Sequence, residues 1–166
     1  PAPVHDGQVS VEKALTERRS VRAYSGEPLS LVQVGQIVWA AQGITEPQRG
    51  LRTSPSARAQ YFLHLYVVPG NVTGLPPGLY RYQPKGHELI PVARGDKKGD
   101  LFKAVGQNPI KAAPMALVIT GLRDKASNPG WMYVEAGHAS QNVYLQVLSL
   151  QLGTVAETVE VAADST

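Results

Sequence analysis

The sequence predicts an α+β fold, and three observations carry that reading. Residues 31–41 and 131–152 repeat apolar side chains at helical spacing. Residues 61–68 and 115–120 are aromatic, β-branched or continuously apolar runs of strand length. Residues 78–82 and 87–92 flank Gln83-Pro84-Lys85-Gly86, which reads as a hairpin turn. Helices mixed with hairpin-connected strands place a chain in the α+β class.

Along the chain, Ser10 caps a short helix with Val11, Ala14 and Leu15 on its buried face. That helix runs into Glu17-Arg18-Arg19-Ser20-Val21-Arg22. Ser30 with Gln33 three residues on is a capping box. It opens a helix whose Leu31, Val34, Ile37, Val38 and Ala41 face the core, with Gly43 as terminator. Residues 44–59 read as a polar loop with Pro47, Gly50 and Pro55, and a loop of that length in a compact domain is usually functional. The strand over 61–68 ends at Pro69-Gly70. The hairpin that follows is half exposed, because Arg81, His87 and Pro91 interrupt it. Residues 100–107 form a short amphipathic helix on Leu101, Ala104 and Val105, ended by Asn108-Pro109. The run 115–120 is apolar at every position but its last, which implies burial on both faces, and Gly121 closes it. A polar loop over 123–130 leads to the longest helix, 131–152, capped by Gly153. Apolar on most sides, it is the central buried helix. Ala136, Gly137, Ala139 and Ser140 in its middle let another helix or a flat ligand approach. Residues 155–161 alternate like a strand.

Composition narrows the function classes. A chain of 166 residues favours one domain. Hydrophobic content of 43% with 17% charged residues excludes a disordered charged tail. The absence of cysteine removes disulfide scaffolds, thiolate zinc sites, iron–sulfur clusters and cysteine nucleophiles together. His5, His64, His87 and His138 share no helical or zinc-finger spacing, so a metal enzyme is not expected. No apolar run reaches the roughly 18 residues of a membrane helix. No signal peptide precedes Pro1, and the missing start methionine suggests a processed or trimmed chain. The default expectation is a cytoplasmic protein without membrane contact. A net charge of +3 suits an anionic partner but is too small to argue for nucleic acid. The arginines cluster early, at 18, 19, 22, 49, 52 and 58, whereas Glu157, Glu160 and Asp164 end the chain.

Two segments carry candidate chemistry. In the first, Ser20 and Arg22 fall on one face if the chain is extended there, and with Arg18 and Arg19 they make a phosphate clamp. The same arginines also suit a helix C-terminus, where they offset the macrodipole. The second, Arg52-Thr53-Ser54-Pro55-Ser56-Ala57-Arg58-Ala59-Gln60, combines small residues, hydroxyls and arginines ahead of a strand. Its backbone N–H groups can bind a polar edge or an anion, and a plain loop is the alternative. The glycine fingerprints of dinucleotide-binding, P-loop and hydrolase-elbow proteins are all missing. Glu135, His138 and Ser140 form a polar patch in an apolar helix, but their spacing scatters them around it, which excludes a catalytic triad. His64 and His87 read as strand-surface residues.

Taken together and in order, these segments resemble the nitroreductase family of flavoproteins. RRSVRAYS is similar to the family's flavin-phosphate motif, and RTSPSARAQYFLHLYVV to its second flavin segment. GLPPGLYRYQPKGHELIPV, GQNPIKAAPMALVIT and EAGHASQNVYLQVLSLQLGT follow in the expected order. The hairpin and the EAGH helix resemble one branch in particular, which includes the azoline-oxidising dehydrogenases. The resemblance implies a central, mostly antiparallel sheet flanked by helices. It implies FMN at a homodimer interface, held by Arg18, Arg19, Ser20 and Arg22 and by Pro55, Ser56, Ala57, Arg58 and Ala59. It implies hydride transfer from NADH or NADPH through flavin N5 to an electron-poor acceptor such as a nitroaromatic or quinone. A flavin- or anion-binding protein without turnover, and an azoline dehydrogenase, are the alternatives. Relatives commonly carry Gly and Leu where Arg58 and Gln60 stand, or Asn at Ala59. The family also continues past the LGT segment, so the expected single flavin-binding domain over 1–166 looks short at its C-terminus.

Overall fold

The computed structural model describes residues 1–126 and 128–152, together with the backbone of 159–164. Its centre is a five-stranded sheet built from β4 (Leu63–Pro69), β6 (Gly78–Gln83), β7 (Glu88–Arg94), β8 (Met115–Leu122) and β9 (Val159–Asp164), in the order β7-β6-β4-β8-β9. The first four strands pair antiparallel, with Leu65 opposite Ile119 and Tyr82 opposite Leu89. β9 adds parallel to β8, with Val161 opposite Ile119. β8 is buried at six of its eight positions, which explains why its sequence shows no alternation. β4 does alternate at first: Leu63, Leu65 and Val67 enter the core while His64 and Tyr66 lie on the other face.

Helices α2 (Leu31–Gln42) and α5 (Pro129–Ser149) pack against each other over this sheet. The capping box forms as expected: Ser30 Oγ accepts from Gln33 N at 3.2 Å, and Gln33 Oε1 accepts from Ser30 N at 2.8 Å. Asn128 caps α5 by accepting from Gly130 N at 2.8 Å, and Pro129 suits the first turn because no N–H is needed there. α5 buries Met132, Glu135, Ala136, Ala139, Val143 and Val147, a stripe at helical spacing. Gly121 lets α5 sit this close to β8, since a Cβ there would run into the Met132 side chain.

Several boundaries differ from the sequence reading. The loop expected over 44–59 contains a hairpin of β2 (Ile44–Glu46) and β3 (Leu51–Arg52). Its turn closes through Gly50 N to Glu46 O at 2.8 Å, with Gly50 at φ +67°. Leu29–Ser30 (β1) also pairs, parallel to Val72–Thr73 (β5). The helix expected over 100–107 runs as α3 (Lys98–Val105) and stops at Gly106 in the left-handed conformation. Asn108-Pro109 therefore does not end it but opens a further turn, α4 (Pro109–Ala112). β8 passes through Gly121 to Leu122 rather than stopping there. In α1 (Val11–Glu17) only Ala14 is buried, whereas Val11 and Leu15 are 63% and 54% exposed. α5 is buried along one face only, with Tyr133 and Val134 exposed on another. His87 is no strand residue: it sits in the β6–β7 turn at φ +52°, its Nδ1 2.9 Å from the Tyr82 hydroxyl. Gly153 and residues 155–158, expected as a helix cap and the start of a strand, lie outside the described residues.

Candidate functional site

The second candidate segment divides its hydroxyls between two tasks. A helix ends with carbonyls that lack intrahelical partners. At the end of α2 they are taken one by one: Thr53 Oγ1 donates to Trp39 O at 3.1 Å, Asn142 Nδ2 to Ala40 O at 3.1 Å, and Ser54 Oγ to Ala41 O at 2.7 Å. Thr53 and Ser54 are thus caps. Ser56 faces the other way and donates to Glu135 Oε2 on α5 at 2.5 Å, while its Oγ accepts from Tyr61 N at 2.8 Å. This closes the turn 56–61, in which Arg58, Ala59 and Tyr61 all adopt φ between +50° and +56°. Three non-glycine residues in that region within four positions are strained, and such strain gathers at ligand-holding sites. Ala59 N and Gln60 N bond back to Ser56 O and Ala57 O, which leaves the N–H groups of Ala57 and Arg58 out of the bonds that close the turn.

Glu135 is 2% exposed, and burial pushes its carboxyl above the usual range. The Ser56 hydroxyl, the backbone of Phe62 and Leu63 and the Arg52 charge all pull it back. A raised folded pKa means the native state binds a proton more readily than the unfolded chain. Glu135 therefore costs stability progressively as pH rises above 4.5 through its folded pKa. Glu135→Gln keeps an acceptor for Ser56 and cannot ionise. Its melting temperature, measured from pH 4.5 to 8, should gain on that of wild type as pH rises, and then level off.

The candidate residues line up along α5. Arg58 lies over the Trp131 ring at 5.5 Å, Ser56 meets Glu135, and His138 Nδ1 is 3.4 Å from Pro55 O. Arg18 lies over Tyr144 at 5.3 Å. From His138 to Tyr144 is about 9 Å of helix axis and about 120° around it. The two segments thus flank the exposed strip of α5 that carries Val134, Gly137 and Gln141. Arg19 departs from the expected clamp, since its Nη1 donates to Thr16 O and Arg18 O at 3.0 and 2.7 Å, holding the end of α1. Ser20 and Arg22 are exposed, and no ion pair engages Arg18 or Arg22 among the described residues. The guanidinium groups of Arg18 and Arg22, outside any ion pair among the described residues, with a hydroxyl and two N–H groups outside the bonds that close the turn, suit an anionic ligand with a polar edge. No triad forms: Ser140 Oγ donates to Ala136 O within α5, at 2.7 Å.

Sequence reasoning missed the Ser56–Glu135 lock and the packing of Arg52 on Tyr61, at 4.4 Å from the ring centroid. The signal for the first was a carboxylate on the buried face of an apolar helix, which requires a partner. Its identity, 79 positions away, was not readable locally.

Fold and site define an α+β protein whose polar groups gather on one long helix, with the Ser56 hydroxyl and the Glu135 carboxyl bonded to each other where they close a turn. The chain belongs to the nitroreductase family, whose model matches residues 15–158. It is 38% identical over 155 residues to a Methanocaldococcus jannaschii protein provisionally described as a nitroreductase, covering 89% of this chain and 78% of that one. A crystal structure of a provisionally described nitroreductase from Ralstonia eutropha superposes with a TM-score of 0.77 at 28% identity, over 90% of this chain and 70% of that chain. A Desulfovibrio desulfuricans protein of the same description, solved in complex with FMN, shares the fold at a TM-score of 0.60 and 20% identity. That match covers 87% of this chain and 65% of the other.

Proposed function

We propose that this chain is an FMN-dependent oxidoreductase. It forms one flavin-binding domain, works as a homodimer in the cytoplasm, and passes electrons from NADH or NADPH to an electron-poor acceptor such as a nitroaromatic or quinone. The observation that carries this reading is the placement of Arg18 and the strained 56–61 turn on the two flanks of one exposed strip of α5, in a member of the nitroreductase family. Bound FMN supplies the two-electron chemistry; the protein supplies position and electrostatics. Arg18, Ser20 and Arg22 hold the phosphate, and Arg19 fixes the helix end that presents them. The N–H groups of Ala57 and Arg58 hold a polar edge of the ring, Pro55 and Ala59 shape the turn, and Ser56 with Glu135 keeps it in place. This division of labour accounts for a site without an evident acid or nucleophile.

Surface chemistry supports the homodimer. Val11 and Leu15 on α1 and Tyr133 and Val134 on α5 are each more than half exposed, and open space faces Gly137. Apolar surface on two neighbouring helices calls for a partner, and a second copy is the simplest. Among the described residues, no helix is long and apolar enough to cross a membrane. The double variant Tyr133→Asp/Val134→Asp should sediment as a monomer and lose FMN, while wild type sediments as a dimer.

The test of the cofactor is direct. The purified chain mixed with FMN and desalted should be yellow, with about one FMN per subunit, the stoichiometry of a resident cofactor. A chain that stays colourless after mixing contradicts the proposal.

A further inference from the structure

Arg58 stands at φ +56° and ψ +25°, inside the turn 56–61. Glycine takes up that region freely, whereas a β-carbon there is strained, so this position carries a side chain against the preference of its backbone. Packing does not explain it. Arg58 is exposed, and no ion pair among the described residues engages it. What it meets is the Trp131 ring, at 5.5 Å from the guanidinium carbon to the ring centroid. A cation over an aromatic ring is steadied there and keeps its N–H donors for a partner. Trp131 belongs to the first turn of α5, which holds no acidic residue and contributes the partial positive charge of a helix N-terminus. On the other side of the turn, Gln60 and Tyr61 line a cleft whose wall also holds the exposed Arg81 and Lys125, and none of the described residues lining it is a carboxylate. The carboxyl that touches the turn, Glu135, is 2% exposed and bonded to Ser56. The solvent-facing surroundings of the turn therefore carry an excess of positive charge.

We propose that the Arg58 side chain selects the oxidising substrate, favouring an electron-poor acceptor that carries a carboxylate or sulfonate over a neutral one. The inference rests on the reading of the 56–61 turn as the holder of the flavin ring edge, and deepens it by naming the charge of the acceptor. A planar guanidinium fork pairs with two oxygens of such a group at once. The Arg58 N–H is assigned to the ring edge, so its side chain reaches what lies beside that edge. The extra phosphate of NADPH sits at the adenosine end of the dinucleotide, a ribose and a pyrophosphate away from the nicotinamide. A charge beside the ring edge therefore meets an acceptor rather than that phosphate. The anionic group takes no part in the electron transfer: a quinone takes a hydride from the reduced flavin and a proton from solvent, becomes the hydroquinone, and leaves the flavin oxidised. The exposed Arg81 and Lys125 add a longer-range attraction that salt screens.

The test uses the full chain loaded with FMN, with the flavin content of every variant measured first. Arg58→Gly keeps the N–H and relieves the strained φ, Arg58→Gln keeps a polar side chain without the charge, and Arg58→Lys keeps the charge without the fork. Turnover is compared between naphthoquinone sulfonate and neutral naphthoquinone, as the ratio of their kcat/KM values, with NADH and NADPH in turn as reductant. That ratio should fall about tenfold in Arg58→Gly and in Arg58→Gln, as for the loss of one charge-assisted contact, and less in Arg58→Lys. Naphthalene sulfonate cannot be reduced, and its binding, read from the shift it causes in the flavin absorbance, should weaken by a similar factor. The wild-type ratio should shrink as salt is added. The preference between NADH and NADPH should not move. A ratio and a sulfonate affinity within about twofold of wild type in both uncharged variants overturn the proposal and leave the flavin reading standing. A shifted preference between NADH and NADPH with an unchanged acceptor ratio gives the charge to the reductant and overturns it too. A chain that takes up no FMN, or whose FMN neither reductant reduces, fails the underlying reading and this inference with it.

Discussion

Arg22→Ala, and separately Arg18→Ala, should weaken FMN binding by about 1.5–3 kcal/mol, the range of a hydrogen bond to a charged group. In dissociation constant that is roughly tenfold to over a hundredfold. Riboflavin lacks the phosphate, so its affinity should stay within about twofold in the same variants, well under the 1.4 kcal/mol that a tenfold change requires. Both arginines are free to do this, since neither has an ion-pair partner among the described residues, and Arg18 is steadied by the Tyr144 ring. Arg19 is the internal control. Its Nη1 is spent on two carbonyls at the end of α1, so Arg19→Ala should lower stability slightly and discriminate little between the two flavins. Equal losses for FMN and riboflavin in Arg18→Ala and Arg22→Ala would return these residues to a purely structural role.

Asn142→Leu should cost about 2–5 kcal/mol of folding stability, because it strips the donor from several buried acceptors at about 1–3 kcal/mol each. Asn142 Nδ2 lies 3.1 Å from Ala40 O, 3.2 Å from Thr53 O and 3.1 Å from Ser54 Oγ. Its side chain joins the end of α2 to the segment leading into the 56–61 turn. Leucine fills similar space but offers no donor, so the loss reports the hydrogen bonds rather than a cavity. The segment displaced is the one that positions Ser56, so FMN affinity should fall alongside the urea midpoint. A change below about 0.5 kcal/mol, the ordinary scatter of neutral surface substitutions, would show that water replaces Asn142 at no cost.

The elements legible in the sequence were those whose signal is local. The Ser30–Gln33 capping box and the uninterrupted apolar run of β8 each declare themselves within a few residues and stand where expected, and the turn read at Gln83-Pro84-Lys85-Gly86 is displaced by one residue, to Pro84–His87. What failed depended on distant partners. Val11 and Leu15 have the spacing of a buried face, but periodicity cannot say whether the covering surface belongs to the same chain. The β2–β3 hairpin is too short for alternation to show. Thr53, Ser54 and Ser56 look alike in sequence, yet two cap α2 and one reaches α5, a distinction set by how the two helices cross. The positive φ angles at Arg58, Ala59 and Tyr61 could not be anticipated, because none of these residues favours that region.

Anaerobic stopped-flow mixing of the FMN-loaded chain with NADH and with NADPH tests the central claim most directly. The proposed oxidoreductase predicts prompt bleaching of the flavin absorbance by at least one of the two, and its return when a quinone or nitroaromatic is added. A chain that binds FMN stoichiometrically but stays yellow with both reductants would contradict it, and would mark a protein of the same fold that holds flavin without turning it over.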